Sequence, residues 1–257
     1  MNIPGTHSSD ALPMSTPSVL VVIPARYAST RFPGKPLADL HGKPMIQHVW
    51  ERCVASPLVG RVLVATDDER IADAVRAFGG ACVMTPEDLA SGSERVAWVA
   101  ARETADIVVN VQGDEPLLPP ATIAAVIEPL LRDAGIDIGT AACPLPEAEA
   151  AGNPNVVKVV LMANGRALYF SRARVPHVRD GEPWSGPWLK HIGIYAFRSA
   201  ALARFAALPA GVLEQYEKLE QLRALEHGMS IHVALVAHDS QAVDTPSDLD
   251  VVRALME

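Results

Sequence analysis

Aromatic residues make up only 5% of this 257-residue sequence, so its core must be assembled mainly from Ala, Val and Leu. Cysteine is scarce too: Cys53, Cys82 and Cys143 are odd in number, scattered and never in CxxC spacing. That excludes a disulfide framework or a cysteine zinc site and favours a reducing, cytoplasmic setting. Basic residues are outnumbered, with 22 Lys+Arg against 30 Asp+Glu and a net charge of -8, which argues against an extended nucleic-acid surface. Any anion this chain binds has to be met by a local basic cluster. No apolar run approaches the ~20 residues that span a bilayer, so no membrane insertion is expected. HExxH, GxSxG, the P-loop and GxGxxG are all missing, leaving zinc hydrolases, serine hydrolases and two familiar phosphate loops without support. Residues 1–17 have neither the basic nor the apolar region of a secretory signal and read as a disordered tail, which leaves 18–257 as a single domain.

What is present is a folded composition, 49% hydrophobic and 20% charged. Short β-branched runs alternate with helical patterns, the signature of βαβ units and a largely parallel sheet. Strands are expected over 19–23, 61–65, 81–84 and 106–111, with helices over 43–55, about 69–78 and from near Ser93. In the second half, Asn164-Gly165 between 156–162 and 167–171 signals an antiparallel hairpin. A proline- and tryptophan-rich loop (175–188), a strand (191–197), one helix (213–227) and a strand (231–236) follow. A last helix opens with Thr245 as N-cap, Pro246 at the first position and an acid at the third.

Three segments carry chemistry. IPARYASTRFPGKP, 23–36, directly follows the first strand, where the loops of an open α/β sheet line a ligand crevice. It gathers Arg26, Arg31 and Lys35, with small Ala28 and Ser29 that give a ligand access to backbone N–H groups, a combination suited to a polyphosphate. The alternative is a solvated basic loop. In the second, VVNVQGDEP, a buried strand ends at Gly113-Asp114, where a carboxylate can hold Mg²⁺ against phosphates or merely close a turn. In the third, Asp244 precedes a helix start, where an acid needs no function because it complements the helix dipole.

Weaker signals surround these. Ser91-Gly92-Ser93-Glu94-Arg95 reads either as an N-cap or as a contact for a base or ribose. His191 and Tyr195, four apart in a strand, share one face. Glu217, Glu220 and Gln221 share a face of the expected helix, and solvent exposure accounts for them equally well. Asp248 and Asp250 form a DxD inside a helical pattern and read as a solvated face.

The ordered series IPARYASTRFPGKPL, VATDD, SGSERVA, VVNVQGDEPL, NPNVVKVV, ALYFSRA, HIGIYAF, LEQLR and VDTPSDL resembles the 3-deoxy-manno-octulosonate (KDO) cytidylyltransferase family, the CMP-KDO synthetases, over 19–254. The resemblance implies a nucleotide-diphospho-sugar transferase-like α/β fold: a mixed, mainly parallel sheet with helices on both faces. It also implies an antiparallel excursion at about 153–197 that serves the sugar site and a homodimer interface. The implied reaction takes CTP and KDO to CMP-KDO and pyrophosphate and activates KDO for lipopolysaccharide synthesis. On that template Arg26, Ser29, Arg31 and Lys35 hold the CTP phosphates, and Ser91, Gly92 and Arg95 lie beside the nucleoside. Asp114 and Asp244 ligate Mg²⁺; Lys35, Arg26 and Asp114 are the catalytic set. Gln112, Arg172, His191, Tyr195, Glu220 and Gln221 form the sugar pocket, with Arg172 on the sugar carboxylate. A cytidylyltransferase for another sugar acid, a metal-dependent glycosyltransferase and a non-catalytic nucleotide-binding regulator remain as rivals.

Overall fold

A computed structural model of the chain describes residues 17–28, 31–146, 152–179 and 185–256. The tail expected at 1–17 therefore lies almost wholly outside the described residues, as do Ser29 and Trp184.

The apolar runs fold as strands buried on both faces, the usual state of a parallel sheet. In β1 (Val19–Ala25), Val19, Val21 and Ile23 enter one apolar cluster while Leu20 and Val22 enter the other. The remaining strands are β2 (Asp39–Leu40), β3 (Lys43–Pro44), β4 (Arg61–Thr66), β5 (Ala81–Met84), β6 (Ile107–Asn110), β7 (Ile138–Pro144), β8 (Lys158–Leu161), β9 (Ala167–Ser171), β10 (Leu189–Arg198) and β11 (Ile231–Leu235). The main sheet runs β11-β7-β10-β6-β1-β4-β5. Along that path β10 alone opposes the rest, being antiparallel to both β6 and β7.

Helices cover both faces. On one side lie α1 (Met45–Val54), α2 (Glu69–Ala77) and α4 (Pro120–Arg132), inserting Ile46, Val49, Ile71, Val75, Ile123 and Val126. On the other, α3 (Gly92–Ala100), α5 (Ser199–Ala207) and the short α7 (Gln221–Glu226) insert Val96, Val99, Leu202, Phe205 and Leu222. Each such side chain contributes about 1.5–3 kcal/mol when fully buried. Chain order fixes where a ligand crevice opens. After β1 the chain moves out through β4 to β5, then crosses back through α3 to place β6 on the other flank of β1. The loops after β1 and β6 thus diverge at a topological switch point.

Caps explain the helix starts. Asp68 accepts from Arg70 N at 2.9 Å, Ser91 Oγ from Glu94 N at 3.1 Å, and Thr245 forms a capping box with Asp248 at the start of α8 (Pro246–Leu255). Asp248 is therefore committed to a cap rather than to a solvated face. The hairpin β8–β9 forms as expected, with Gly165 at φ 80° in its turn.

One expectation fails. The helix over 213–227 is two helices, α6 (Val212–Glu217) and α7, separated by Lys218 in the left-handed region at φ 54° and ψ 48°. The break has visible causes. Ser171 Oγ and Arg172 N both donate to the Glu217 carboxylate, at 2.7 and 2.8 Å, while Arg172 Nε and Nη2 donate to the carbonyls of Glu217 and Lys218, at 2.6 and 3.3 Å. Glu217 therefore shares no helical face with Glu220 and Gln221. The pair α4 and β7 had no distinct signal: Pro129 sits inside the helix, and β7 reads as a uniform small-residue run.

Candidate active site

A small apolar cluster brings the end of the chain to its first loop. Val243, Leu249 and Val252 pack with Leu40 and Met45, and Val243 N donates to Asp114 O at 2.9 Å. Asp244 is carried in alongside. Lys35, in a single helical turn after Gly34 (φ 72°), reaches into the junction: its ammonium lies 2.7 Å from Asp114 Oδ2, 2.8 Å from Val243 O and 3.6 Å from Asp244 Oδ1. Arg31 Nη2 stands 3.1 Å from the same Asp244 oxygen. Two carboxylates 130 positions apart in the sequence thus converge on one cation.

Two cavities meet at this cluster. One, of about 340 Å³, is bordered by Ala25, Arg26, Ala28, Arg31, Lys35, Gln112 and Asp114. The second, of about 500 Å³, is bordered by Asp244, Glu115, Asn155, Lys190, His191 and Gly193. Each lies within the range of small-ligand pockets, so there is space for two reactants side by side. The first holds the chain's basic loop. The Arg26 guanidinium crosses it to the carbonyl of Leu89, tying the loop after β1 to the approach of α3.

Hydrogen bonds string further polar groups along the rim. Gln112 Nε2 donates to Asn110 Oδ1 at 3.2 Å, Asn110 Nδ2 approaches Ser93 Oγ at 3.5 Å, and Ser93 Oγ donates to Glu220 Oε2 at 2.5 Å. Tyr195 pairs with Asn110 across β10 and β6, and its ring lies 5.6 Å from that of His191. Gln221 is buried beside Glu220 against Tyr195. Gln112, Tyr195, His191, Glu220 and Gln221 are therefore gathered on one face at the carboxyl end of β6. Burial pushes the Tyr195 phenol up and the His191 imidazolium down to about 3, so both stay neutral near pH 7.

Two arginines are placed elsewhere than expected. Arg95 is fully buried: Nη2 pairs with Asp67 at 2.7 Å, Nη1 donates to Thr85, and Nε has no partner among the described residues. It braces α3 against the end of β4 and does not border the cleft. Arg172 directs all three guanidinium nitrogens to backbone carbonyls, with Nη1 on Pro154 at 2.9 Å in addition to the contacts at Glu217 and Lys218. It clamps the edge of the second cavity instead of presenting an open fork to a carboxylate. Ser91 is the N-cap of α3, and Gly92 sits where a Cβ would stand 3.3 Å from Pro24 and 3.7 Å from Gln112 Oε1.

Sequence reading missed Glu115, Asn110 and Thr140. Burial pushes the Glu115 carboxyl up to about 7; a hydrogen bond from Ser240 opposes the shift and the neighbouring Asp114 adds to it. Asn110 had a usable signal, an amide interrupting an apolar run. Thr140 had none, since a threonine is at home in any strand.

The site thus sets a basic loop and two convergent carboxylates at the switch point of a parallel sheet crossed by one antiparallel strand. A family model described as cytidylyltransferase matches residues 20–231. The 3-deoxy-manno-octulosonate cytidylyltransferase of Syntrophobacter fumaroxidans is 52% identical over 237 residues, covering 91% of this chain and 95% of its own length. The protein of the same name from Myxococcus xanthus is 52% identical over 244 residues, covering 95% and 98%. A solved CMP:2-keto-3-deoxy-manno-octonic acid synthetase complexed with CTP superposes with a TM-score of 0.89 at 45% identity, over 93% of this chain and 98% of that one. A cytidylyltransferase structure from Leptospira borgpetersenii, 14% identical with a TM-score of 0.60, shares the fold. The chain belongs to the cytidylyltransferase family, among its 3-deoxy-manno-octulosonate cytidylyltransferases.

Proposed function

We propose that this protein transfers a cytidylyl group from CTP to 3-deoxy-D-manno-octulosonate, releasing pyrophosphate and forming CMP-KDO for lipopolysaccharide synthesis. The observation that carries the reading is the convergence of Asp114, Asp244 and Lys35 where two ligand-sized cavities meet. Arg26, Arg31 and Lys35 hold the triphosphate in the first cavity. The sugar acid lies in the second, which His191 borders; Gln112 stands on the border of the first, and Tyr195, Glu220 and Gln221 line a small pocket with Ser93. Its anomeric oxygen attacks the α-phosphorus, the bond to the bridging oxygen breaks, and the hydroxyl proton passes to solvent. The rate advantage comes from positioning both reactants and from fixed positive charge on the leaving pyrophosphate.

Hard carboxylate oxygens at Asp114 and Asp244, beside a triphosphate pocket, fit Mg²⁺, which typically takes one or two carboxylates plus substrate phosphates. When bound, it would neutralise charge on the phosphates. Lys35 stabilises the carboxylate pair until then. The same reading includes a cytoplasmic homodimer. Exposed Leu168, Val212 and Tyr216, at 53%, 65% and 86%, support a covered face near the hairpin and α6, and light scattering coupled to gel filtration tests it.

The deciding experiment follows pyrophosphate release with CTP, Mg²⁺ and KDO, omitting each in turn. Dependence on all three is expected. Release without the sugar, or faster turnover with N-acetylneuraminate, would overturn the assignment. A nucleotide-sugar-consuming glycosyltransferase would release no pyrophosphate from CTP.

A further inference from the structure

The pairing of β10 with β7 is interrupted: Ile192 sits opposite Ala141 and Tyr195 opposite Thr140, so Gly193 and Ile194 bulge out of register. Such a bulge re-aims side chains and leaves ladder groups to be satisfied otherwise. The fully buried Thr140 hydroxyl does this. Its Oγ1 lies 2.7 Å from Ile194 O, 3.3 Å from Ile192 O and 2.9 Å from His191 Nε2.

Those three neighbours bear directly on the position of the ring proton. A hydroxyl has one hydrogen to donate, and a carbonyl oxygen can only accept. Both carbonyls compete for the threonine's hydrogen, the closer being Ile194 O at 2.7 Å, and a hydroxyl that donates there accepts from the imidazole. With the hydroxyl hydrogen on the 2.7 Å contact to Ile194 O, the ring proton belongs on Nε2 and Nδ1 keeps a lone pair. Among the described residues no hydrogen bond reaches Nδ1, although His191 borders the second cavity. The ring is fixed edge-on to Phe170, with centroids 4.8 Å apart, and packed beside Tyr195. Gly193, on the same face between His191 and Tyr195, leaves the approach open, since a Cβ there would meet nothing within 4 Å.

We propose that Thr140 is a positioning residue that locks His191 in the Nε2–H tautomer, so that Nδ1 presents an acceptor to a hydroxyl of the sugar acid. The inference rests on the reading of this cavity as the acceptor-sugar site. A histidine fixed in this way selects for a hydroxyl donor at one position and rejects a group that can only accept, because a buried nitrogen without a partner is costly. The ring's low basicity keeps it neutral, so the discrimination holds across the physiological range.

The test combines imidazole nitrogen NMR of ¹⁵N-histidine-labelled full-length protein, His191 being assigned by His191→Gln, with steady-state kinetics. In the wild type, His191 should show a protonated Nε2 and an unprotonated Nδ1. Thr140→Val removes the acceptor and should move the proton toward Nδ1, raising the KM for KDO about tenfold while the KM for CTP stays put. Thr140→Ser keeps the hydroxyl and should restore both. A wild-type ring protonated on Nδ1, an unchanged nitrogen pattern in Thr140→Val, equal losses for both substrates, or failure of the folded serine variant to rescue would each overturn the proposal. Absence of turnover by the wild-type protein with any sugar acid would overturn the sugar clause through the reading beneath it; the nitrogen pattern decides the tautomer separately.

Discussion

Replacing Asp67 by Asn tests what Arg95 does. The Arg95 side chain is fully buried and Asp67 only 16% exposed, so their 2.7 Å contact is largely screened from water. Removing one partner of a buried pair typically costs about 3–5 kcal/mol, because the surviving charge has no compensation. Here the cost is lower: asparagine keeps one acceptor oxygen, and Arg95 Nη1 keeps Thr85 and, at 3.4 Å, Pro86 O. About 2–3 kcal/mol is expected, or a Tm lower by about 5–10 °C for a chain of this size. If the cost is the orphaned charge, Asp67→Asn/Arg95→Met must recover much of it, giving a coupling energy above about 1 kcal/mol in a double-mutant cycle. Thermal and denaturant unfolding of the four proteins measures both quantities. CTP kinetics at low temperature, where all four are folded, should change little. Additive single mutants, or an Asp67→Asn that leaves Tm alone and raises the KM for CTP, would refute the bracing role and return Arg95 to the nucleoside.

Three further outcomes follow from the same geometry. Asp114→Asn and Asp244→Asn should each lower kcat by about a hundredfold or more with the fold intact by circular dichroism, and chelation of divalent ions should abolish turnover; near-normal rates at saturating Mg²⁺ would sink the ligand assignment. Gly193→Leu should raise the KM for KDO by about tenfold or more and leave Tm unchanged, because the side chain enters open space in the cavity; unaltered KDO kinetics would place the sugar elsewhere. The folded pKa of His191, about 3, lies below its ordinary 6.5. Between those values the unfolded chain takes up a proton that the folded protein refuses, so stability falls as pH drops from about 6.5 toward 3, by up to about 1.4 kcal/mol per unit. A His191→Gln variant should show a shallower pH slope in urea unfolding, and an equal slope would count against a neutral buried ring.

How much of this was legible in the sequence depends on whether a residue's neighbours in the chain or its neighbours in space decide its role. A strand run such as 19–23 declares itself through unbroken apolar, mostly β-branched composition, and the caps at Asp68, Ser91 and Thr245 through residue types that accept from nearby backbone N–H groups. The break at Lys218 does not, because its cause is Arg172 and Ser171, 46 and 46 positions away from the groups they hold. The same limit explains the two arginines. A guanidinium suits a ligand carboxylate and a set of backbone carbonyls equally well, and only the fold shows that Arg172 has the second and Arg95 a buried acid.

Lys35 stands at the opposite end of that scale, since its motif, its loop and its contacts all point to one place. Its position nevertheless carries information that the motif lacks. Without nucleotide its ammonium lies between Asp114 and Asp244 while Arg31 pairs with Asp244, so the two cations together offset the repulsion between the two acids. An incoming triphosphate offers the ammonium a stronger partner on the other cavity's side. Lys35 cannot satisfy the phosphates and both carboxylates at once, so engagement of the nucleotide leaves the acid pair short of positive charge just as a phosphate oxygen arrives beside it. With Mg²⁺ held at Asp114 and Asp244 as proposed, nucleotide and divalent cation are expected to bind with positive coupling, each raising the affinity of the other by the same factor. Asp244 gains a further handle through Arg31, whose exposed side chain, at 66%, sits at the entrance to the same junction. The acidic chain thus needs no extended basic surface to meet a polyphosphate: three cations gather on one loop, two of them already engaged with acids.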